Sequence, residues 1–210
     1  MEDILSVSAR PLDPLRPLVC FDESGKELQR HRRPVAPAAP GQPERIDHEY
    51  VRAGSANLLL WVAPHLGQRG VRIANQRTRV EWAEAMRALV EEDFPHAERI
   101  VLVVDNLNTH TAAALYHTFP APLARHIWAK LEVHDTPKHA SWLNIAEIEL
   151  SALSRQCLTR RIPDVATLTT EVGAWVAARN AAQTGVNWHF TTADARIKLK
   201  RLYPTPVYAN

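Results

Sequence analysis

The sequence predicts a mixed α/β domain, and three observations predict it. Three strand-like patterns come early with no helix between them, helix and strand patterns then alternate, and the chain closes on helices. At 210 residues the chain is a soft prior for one domain, 1–210. A chain of that length buries roughly 70% of its unfolded surface and folds without a disulfide or structural metal. Apolar residues make up 46% and charged residues 23%, which excludes a disordered chain, a collagen and a coiled coil. Cys20 and Cys157 are too few for a disulfide framework or a four-cysteine zinc site. Both sit in apolar surroundings and read as buried thiols, suited to a reducing compartment.

In chain order, residues 1–17 read as an extended N-terminal arm. The start has no basic segment followed by an apolar one, so it is no signal peptide. PLVCFDE reads as the first strand, and the Pro-rich stretch 34–43 as a stiff extended loop that can be neither helix nor central strand. EYVRAGSANLLLWVAP reads as strand divided at Gly54, and GVRIANQRT as the strand after the Gly67–Gly70 turn. Its apolar run, 58–64, is far short of the ~20 residues a membrane span needs. Thr78 is placed to cap a helix over 80–94.

RIVLVVDN is a continuous β-branched run, as expected of a strand buried on both faces. Thr109 or Thr111 opens a helix, LARHIWAK forms another, and a short strand near 131–134 ends before Pro137. Residues 141–161 are helical, with apolar positions 143, 146, 150, 153 and 157 facing the core. Asp164 caps the next helix, and Gly185 follows its end. Residues 162–210 form a basic, helical C-terminal part. This element order fits a ribonuclease-H-like fold, a mixed sheet with an antiparallel meander and flanking helices. A doubly wound parallel domain is the competitor, and the helix-free meander argues against it.

Net charge is +2, unevenly spread: residues 151–210 carry eight basic and three acidic groups, leaving the first 150 at −3. Such a basic third is either a phosphate-binding face or a solvated helical one.

Asp22 follows LVCF and Asp105 follows IVLVV, so two carboxylates end predicted strands. That is poor for packing and suited to a ligand site. Glu147 or Glu149 can supply a third. Both flank the apolar stripe on opposite sides, and periodicity does not choose between them. Three converging carboxylates repel and call for a cation, and hard oxygen donors select Mg²⁺ or Mn²⁺. Two such ions ~4 Å apart suit phosphoryl transfer on nucleic acid.

VCFDES, VVDNLNTHT and SWLNIAEIE, in that order, resemble the three catalytic blocks of DDE transposases of the bacterial IS-six-thirty group, relatives of the mariner elements. The resemblance covers nearly the whole chain. It implies the triad Asp22, Asp105 and Glu147 as catalytic and metal-holding residues, with Glu147 chosen by the family's Leu-Asn-x-x-Glu pattern. Asp105 and Glu147 lie 42 positions apart, longer than in mariner proper, with the extra length around LEVHDTPKHAS. It also implies two Mg²⁺ or Mn²⁺ ions, and double-stranded DNA (transposon ends and target) as partner. A homodimer, no membrane, and a bacterial cytoplasmic, nucleoid-associated setting follow in the same way. Family members carry helix-turn-helix domains ahead of this region. With 21 residues before Asp22, one is expected to be absent here or supplied by a separate segment.

Asn106, Asn108, His110 and Asn144 are candidates to line the site. Arg160, Arg161, Lys198, Lys200 and Arg201 are candidate DNA-phosphate contacts. Trp142 and Trp188 are able to stack bases or to pack. His134, Asp135 and His139 read as loop residues rather than a transition-metal site. Ser24-Gly25-Lys26 lacks the upstream glycine of a nucleotide loop and is rejected as one. The alternatives are a ribonuclease-H-like nuclease cutting hybrids or junctions, and a relic that binds DNA without cutting.

Overall fold

The computed structural model describes residues 1–137, 140–186 and 188–203. Its centre is a five-stranded sheet in the order β3-β2-β1-β4-β5. β1 (Leu18–His31), β2 (Tyr50–Ala63) and β3 (Gln68–Ala74) form the antiparallel meander. β4 (Ile100–Val104) and β5 (Leu131–Asp135) add parallel to β1 and β4. The helices are α1 (Glu2–Ser8), α2 (Arg79–Ala88), α3 (Ala112–Thr118), α4 (Ala121–Ala129), α5 (Ile145–Gln156), α6 (Val165–Ala181) and α7 (Thr192–Lys198).

Alternation along the strands divides the core in two. Leu18, Cys20, Leu58, Leu60, Val62, Val101 and Val103 face α5 and α6. Val19, Phe21, Leu59, Trp61, Ile100, Leu102 and Val104 face α2, α3 and α4. β4 is buried along its whole length, as its unbroken apolar run requires. Thr78 caps α2 in a full capping box with Glu81. Beyond Ala88 that helix widens into one π-helical turn, Leu89–Asp93, closed by the Phe94 N–H donating to Leu89 O at 2.9 Å.

Four expectations change. The N-terminal arm opens with α1, whose Ile4, Leu5 and Val7 are buried, because its apolar spacing gives it a core-facing side. The Pro-rich stretch doubles back: Ala39 and Gln42 exchange backbone hydrogen bonds across Pro40-Gly41, and Gly41 takes φ +75°. Proline followed by a positive-φ glycine is turn chemistry, which overrides an extended reading. β2 is not divided at Gly54. The residue sits in a bulge at φ +101°, where the β1–β2 register shifts between Glu27 and Gln29, so the strand bends without ending. β1 does not stop at Asp22 but runs nine residues further, paired with β2 throughout.

Both cysteines are free, yet only Cys20 is fully buried, its thiol pushed up to about 12 by burial. Cys157 is half-buried. Among the described residues no helix is long and apolar enough to cross a membrane.

Candidate active site

The β1–β4 ladder explains why two distant aspartates meet. Cys20 pairs with Val103. β4 then ends at Val104 while β1 continues. Two residues further along each chain stand Asp22 and Asp105, on neighbouring strands and on the face that α5 covers. Asp22 is therefore a mid-strand residue, and it is its neighbour that stops. The gap beyond the C-terminal end of β4 opens a cleft of about 530 Å³, lined by Asp105, Asn106, Leu107, Asn108, Thr136, Pro137 and Ser141. Ligand sites of open α/β sheets lie at such strand ends.

Asp22 is pushed up to about 6, first by burial and then by the charges of Asp105 and Glu147; the Glu23 N–H and Arg77 partly oppose this. That N–H donates to Asp22 Oδ1 at 2.7 Å.

Asn144 places the third carboxylate. It is fully buried at the N-cap of α5, where Oδ1 accepts from the Ala146 N–H at 3.1 Å. Its Nδ2 donates to the main-chain oxygen of Phe21 at 2.7 Å, one residue before Asp22. The cap thus pins the start of α5 to β1 beside the site, with Glu147 in the first turn. Asn144 acts as a brace here rather than a lining residue.

Glu149 points the other way. Its side chain is 1% exposed and lies 3.0 Å from Arg69 Nε and 2.9 Å from Arg179 Nη2. Asn180 completes the group. Its Oδ1 accepts from the Arg69 main-chain N–H and guanidinium, and its Nδ2 donates to Arg69 O at 2.9 Å. Glu149 is consumed in fastening α5 and α6 to edge strand β3. Of the two glutamates that periodicity left open, Glu147 is the one that acts on Asp22.

His110 is buried under the site. Its Nδ1 lies 2.8 Å from Asp105 Oδ1 and 3.1 Å from Asp105 O, and its Nε2 lies 3.4 Å from Glu23 Oε1. The ring stacks on Trp82 at 5.4 Å and meets the edge of Phe21 at 5.9 Å. Burial opposes its charge, but Asp105 and Glu23 outweigh that and push it up to about 9. Glu23 also pairs with Arg77. Against burial, His110 and Arg77 hold its carboxyl below the usual range. Sequence reading passed over Glu23. Its signal was the adjacency of two acids in an otherwise apolar strand start, one on each face. Asn106 and Asn108 are exposed at the cleft mouth.

The candidate phosphate contacts divide. Arg160 pairs with Glu171. Arg161 donates to the main-chain oxygens of His48 and Glu49 and lies over the Tyr50 ring, so its donors tie the β1–β2 loop in place. Lys198 lies 3.8 Å from Asp194 and over Phe190. Lys200 and Arg201 are both exposed. Trp142 is partly exposed and packs against Phe190, while Trp188 donates to Phe190 O. His134 and Asp135 lie on β5, not in a loop; His134 bridges Asp3 and Glu132. His139 lies outside the described residues.

The donor set suits a hard divalent cation. The neighbouring acids are oxygen donors whose charges repel. Among the described residues no three such side chains stand close enough together to enclose a metal as they are. The set fits in its chemistry, and the acids would have to draw together to enclose an ion.

Residues 17–169 match the family model described as DDE superfamily endonuclease. Solved structures with the same fold include a Mos1 mariner paired-end complex with Mn, at 19% identity and TM-score 0.59, covering 87% of this chain and 54% of that one. A Mos1 strand transfer complex matches at 18% and 0.60 with the same coverages. A pre-cleavage Mos1 transpososome matches at 17% and 0.57, covering 90% and 61%. The chain thus spans little more than half the length of these neighbours, and the likeness shows the mixed-sheet fold. Among curated proteins none matches.

Proposed function

The chain belongs to the DDE superfamily endonucleases, and from that premise we propose that it is the catalytic domain of a DNA transposase. It would cut DNA at transposon ends and join the freed 3′-hydroxyl to target DNA. The observation that carries this reading is the mutual action of Asp22, Asp105 and Glu147. They come from a strand, a strand end and a helix start, and burial and repulsion together raise Asp22.

Asp22, Asp105 and Glu147 are the residues that would hold Mg²⁺ or Mn²⁺. Bound there, two ions would activate an attacking oxygen and offset charge on the leaving one. The chain's own contribution is placement. Asn144 holds α5, and with it Glu147, against β1. His110 and Glu23 lie beneath the aspartates on the opposite sheet face. The cleft leaves room for a phosphodiester, with Asn106 and Asn108 offering amide donors at its mouth. In the first step a water oxygen bonds to phosphorus and the bond to the 3′ oxygen breaks, leaving a 3′-hydroxyl. In the second that hydroxyl oxygen bonds to a target phosphorus and displaces another 3′ oxygen, which takes up a proton.

Double-stranded DNA is the substrate under this reading. Lys200 and Arg201 are the freer phosphate contacts, with Lys198 beside them, and residues 162–210 serve as the basic part of one domain, 1–210. Membership of the IS-six-thirty group, a homodimer, a separate helix-turn-helix segment and a bacterial nucleoid-associated setting belong to the same proposal. The three sequence blocks carry it, and the Mos1 fold is consistent with it.

The test uses the full chain with Mg²⁺ or Mn²⁺, supercoiled plasmid as target, and labelled duplexes with pre-cut 3′-hydroxyl ends. Label should join the plasmid, and Asp22→Asn, Asp105→Asn and Glu147→Gln should each abolish joining while circular dichroism shows an intact fold. Joining that survives all three changes would overturn the proposal. Cutting of an RNA–DNA hybrid with no joining would favour the ribonuclease-H-like nuclease instead.

A further inference from the structure

The two aspartates stand on neighbouring strands and are also connected through the protein. Glu23 faces both ways: its main-chain N–H donates to Asp22 Oδ1 at 2.7 Å, and its carboxylate lies 3.4 Å from His110 Nε2. His110 Nδ1 then reaches Asp105, 2.8 Å from Oδ1 and 3.1 Å from the main-chain oxygen. The Glu23 and His110 side chains are 4% and 0% exposed. Trp82 lies stacked against the ring at 21° and Phe21 packs edge-on at 81°, which fills the space around it. Arg77 holds the far side of the Glu23 carboxylate. A ring held at both nitrogens cannot turn without breaking one of these contacts. Asp105 otherwise begins an exposed loop, 106–108, that leaves its side chain free to rotate.

We infer that Glu23 and His110 are positioning residues, which fix the orientation of the Asp105 carboxylate relative to Asp22 so that a divalent cation has fewer ligands left to draw in. The inference rests on the proposed site and deepens it. His110 grips Asp105 by Oδ1 and by the backbone, which leaves Oδ2 as the oxygen outside that grip. Residues that orient metal ligands from behind typically alter affinity by about 10–100-fold when removed.

Mn²⁺ binding to the full chain, read from loss of the free-ion electron paramagnetic resonance signal, tests this without any turnover. His110→Asn should weaken Mn²⁺ by about 10–100-fold. Glu23→Gln, which leaves Asp105 untouched, should weaken it in the same direction by a smaller factor. Trp82→Phe is the control: it loosens the packing but keeps both nitrogen contacts, so it should lower melting temperature and leave affinity within about twofold. Should His110→Asn fail to fold, Glu23→Gln and Trp82→Phe still decide the matter. Glu23→Gln at wild-type affinity, or Trp82→Phe as damaging to affinity as Glu23→Gln, would overturn the inference. Asp105→Asn separates the two readings. If it leaves Mn²⁺ binding intact, the site itself is wrong and the inference falls with it. If it abolishes binding while both positioning variants bind normally, only the inference fails.

Discussion

Without a bound cation, Asp22 ionises at a cost to the fold, because it gives up water and faces two other carboxylates. Replacing it with asparagine keeps the volume and keeps an oxygen for the Glu23 N–H, but removes the charge. The carboxyl moves from an ordinary 3.8 to about 6. At about 1.36 kcal/mol per pH unit, the ionised group costs about 3 kcal/mol. Asp22 is only partly buried, so about 2 kcal/mol is the expected gain for Asp22→Asn after solvent screening. For a chain of this size that is a rise in melting temperature of about 4–8 °C. The sign follows from linkage. Between 3.8 and about 6 the folded state binds more protons than the unfolded one, so the wild type loses stability as pH rises through that window. The gap between variant and wild type is closed below 3.8 and fully open above about 6. Denaturation in chelator at pH 5, 6, 7 and 8 measures it, and added Mn²⁺ should stabilise the wild type far more than the variant. A variant less stable than wild type at pH 8, or a gap that ignores pH, would refute the electrostatic reasoning.

Glu149→Gln should cost about 3–5 kcal/mol by leaving Arg69 and Arg179 buried without their anion. Glu147→Gln should leave the denaturation midpoint nearly unchanged, and paired urea melts compare the two. Asn144→Ala should cost about 1–2 kcal/mol through removal of the cap and its bond to Phe21 O, and should slow DNA joining as well. Mg²⁺ or Mn²⁺ should support DNA cleavage and chelator should stop it, while Ca²⁺, with looser ligand geometry, should bind without efficient turnover in the same nicking assay. Replacing Lys198, Lys200 and Arg201 with alanine should reduce the salt slope of duplex binding by about 0.9 for each phosphate that is no longer neutralised. Arg160→Ala should leave it unchanged, since that guanidinium is already paired with Glu171; anisotropy titrations at several salt concentrations read both.

The strand order was legible because each strand carries its own period, and Asp105 stood out because a charge ends an unbroken β-branched run. Asp22 was singled out for an incorrect reason. Its strand reads as ending there because the apolar run ends there, yet β1 continues on β2 pairing with polar residues. Burial on two sides stops where β4 stops, and a single strand's composition does not say where its neighbour ends. Glu149 shows the same limit. A glutamate on the core side of a helix breaks the apolar pattern, and its explanation, Arg69 and Arg179, lies 80 residues before it and 30 after. His110 was visible as a residue near Asp105, while its grip on Glu23 depends on the β1 register and so was not.

The fastening of α5 bears on how such a domain tolerates change in length. Its start is tied to β1 through Asn144 and its middle to β3 and α6 through Glu149. Neither tie involves the connection from β5. The helix therefore takes its position mainly from what it lands on, while the connection packs on its own account: Thr136 and Ala140 are buried, and the Thr136 N–H donates to Val104 O at 2.9 Å. A change of length between Asp135 and Ser141 would leave both ties in place yet reshape the wall of the cleft that Thr136, Pro137 and Ser141 form.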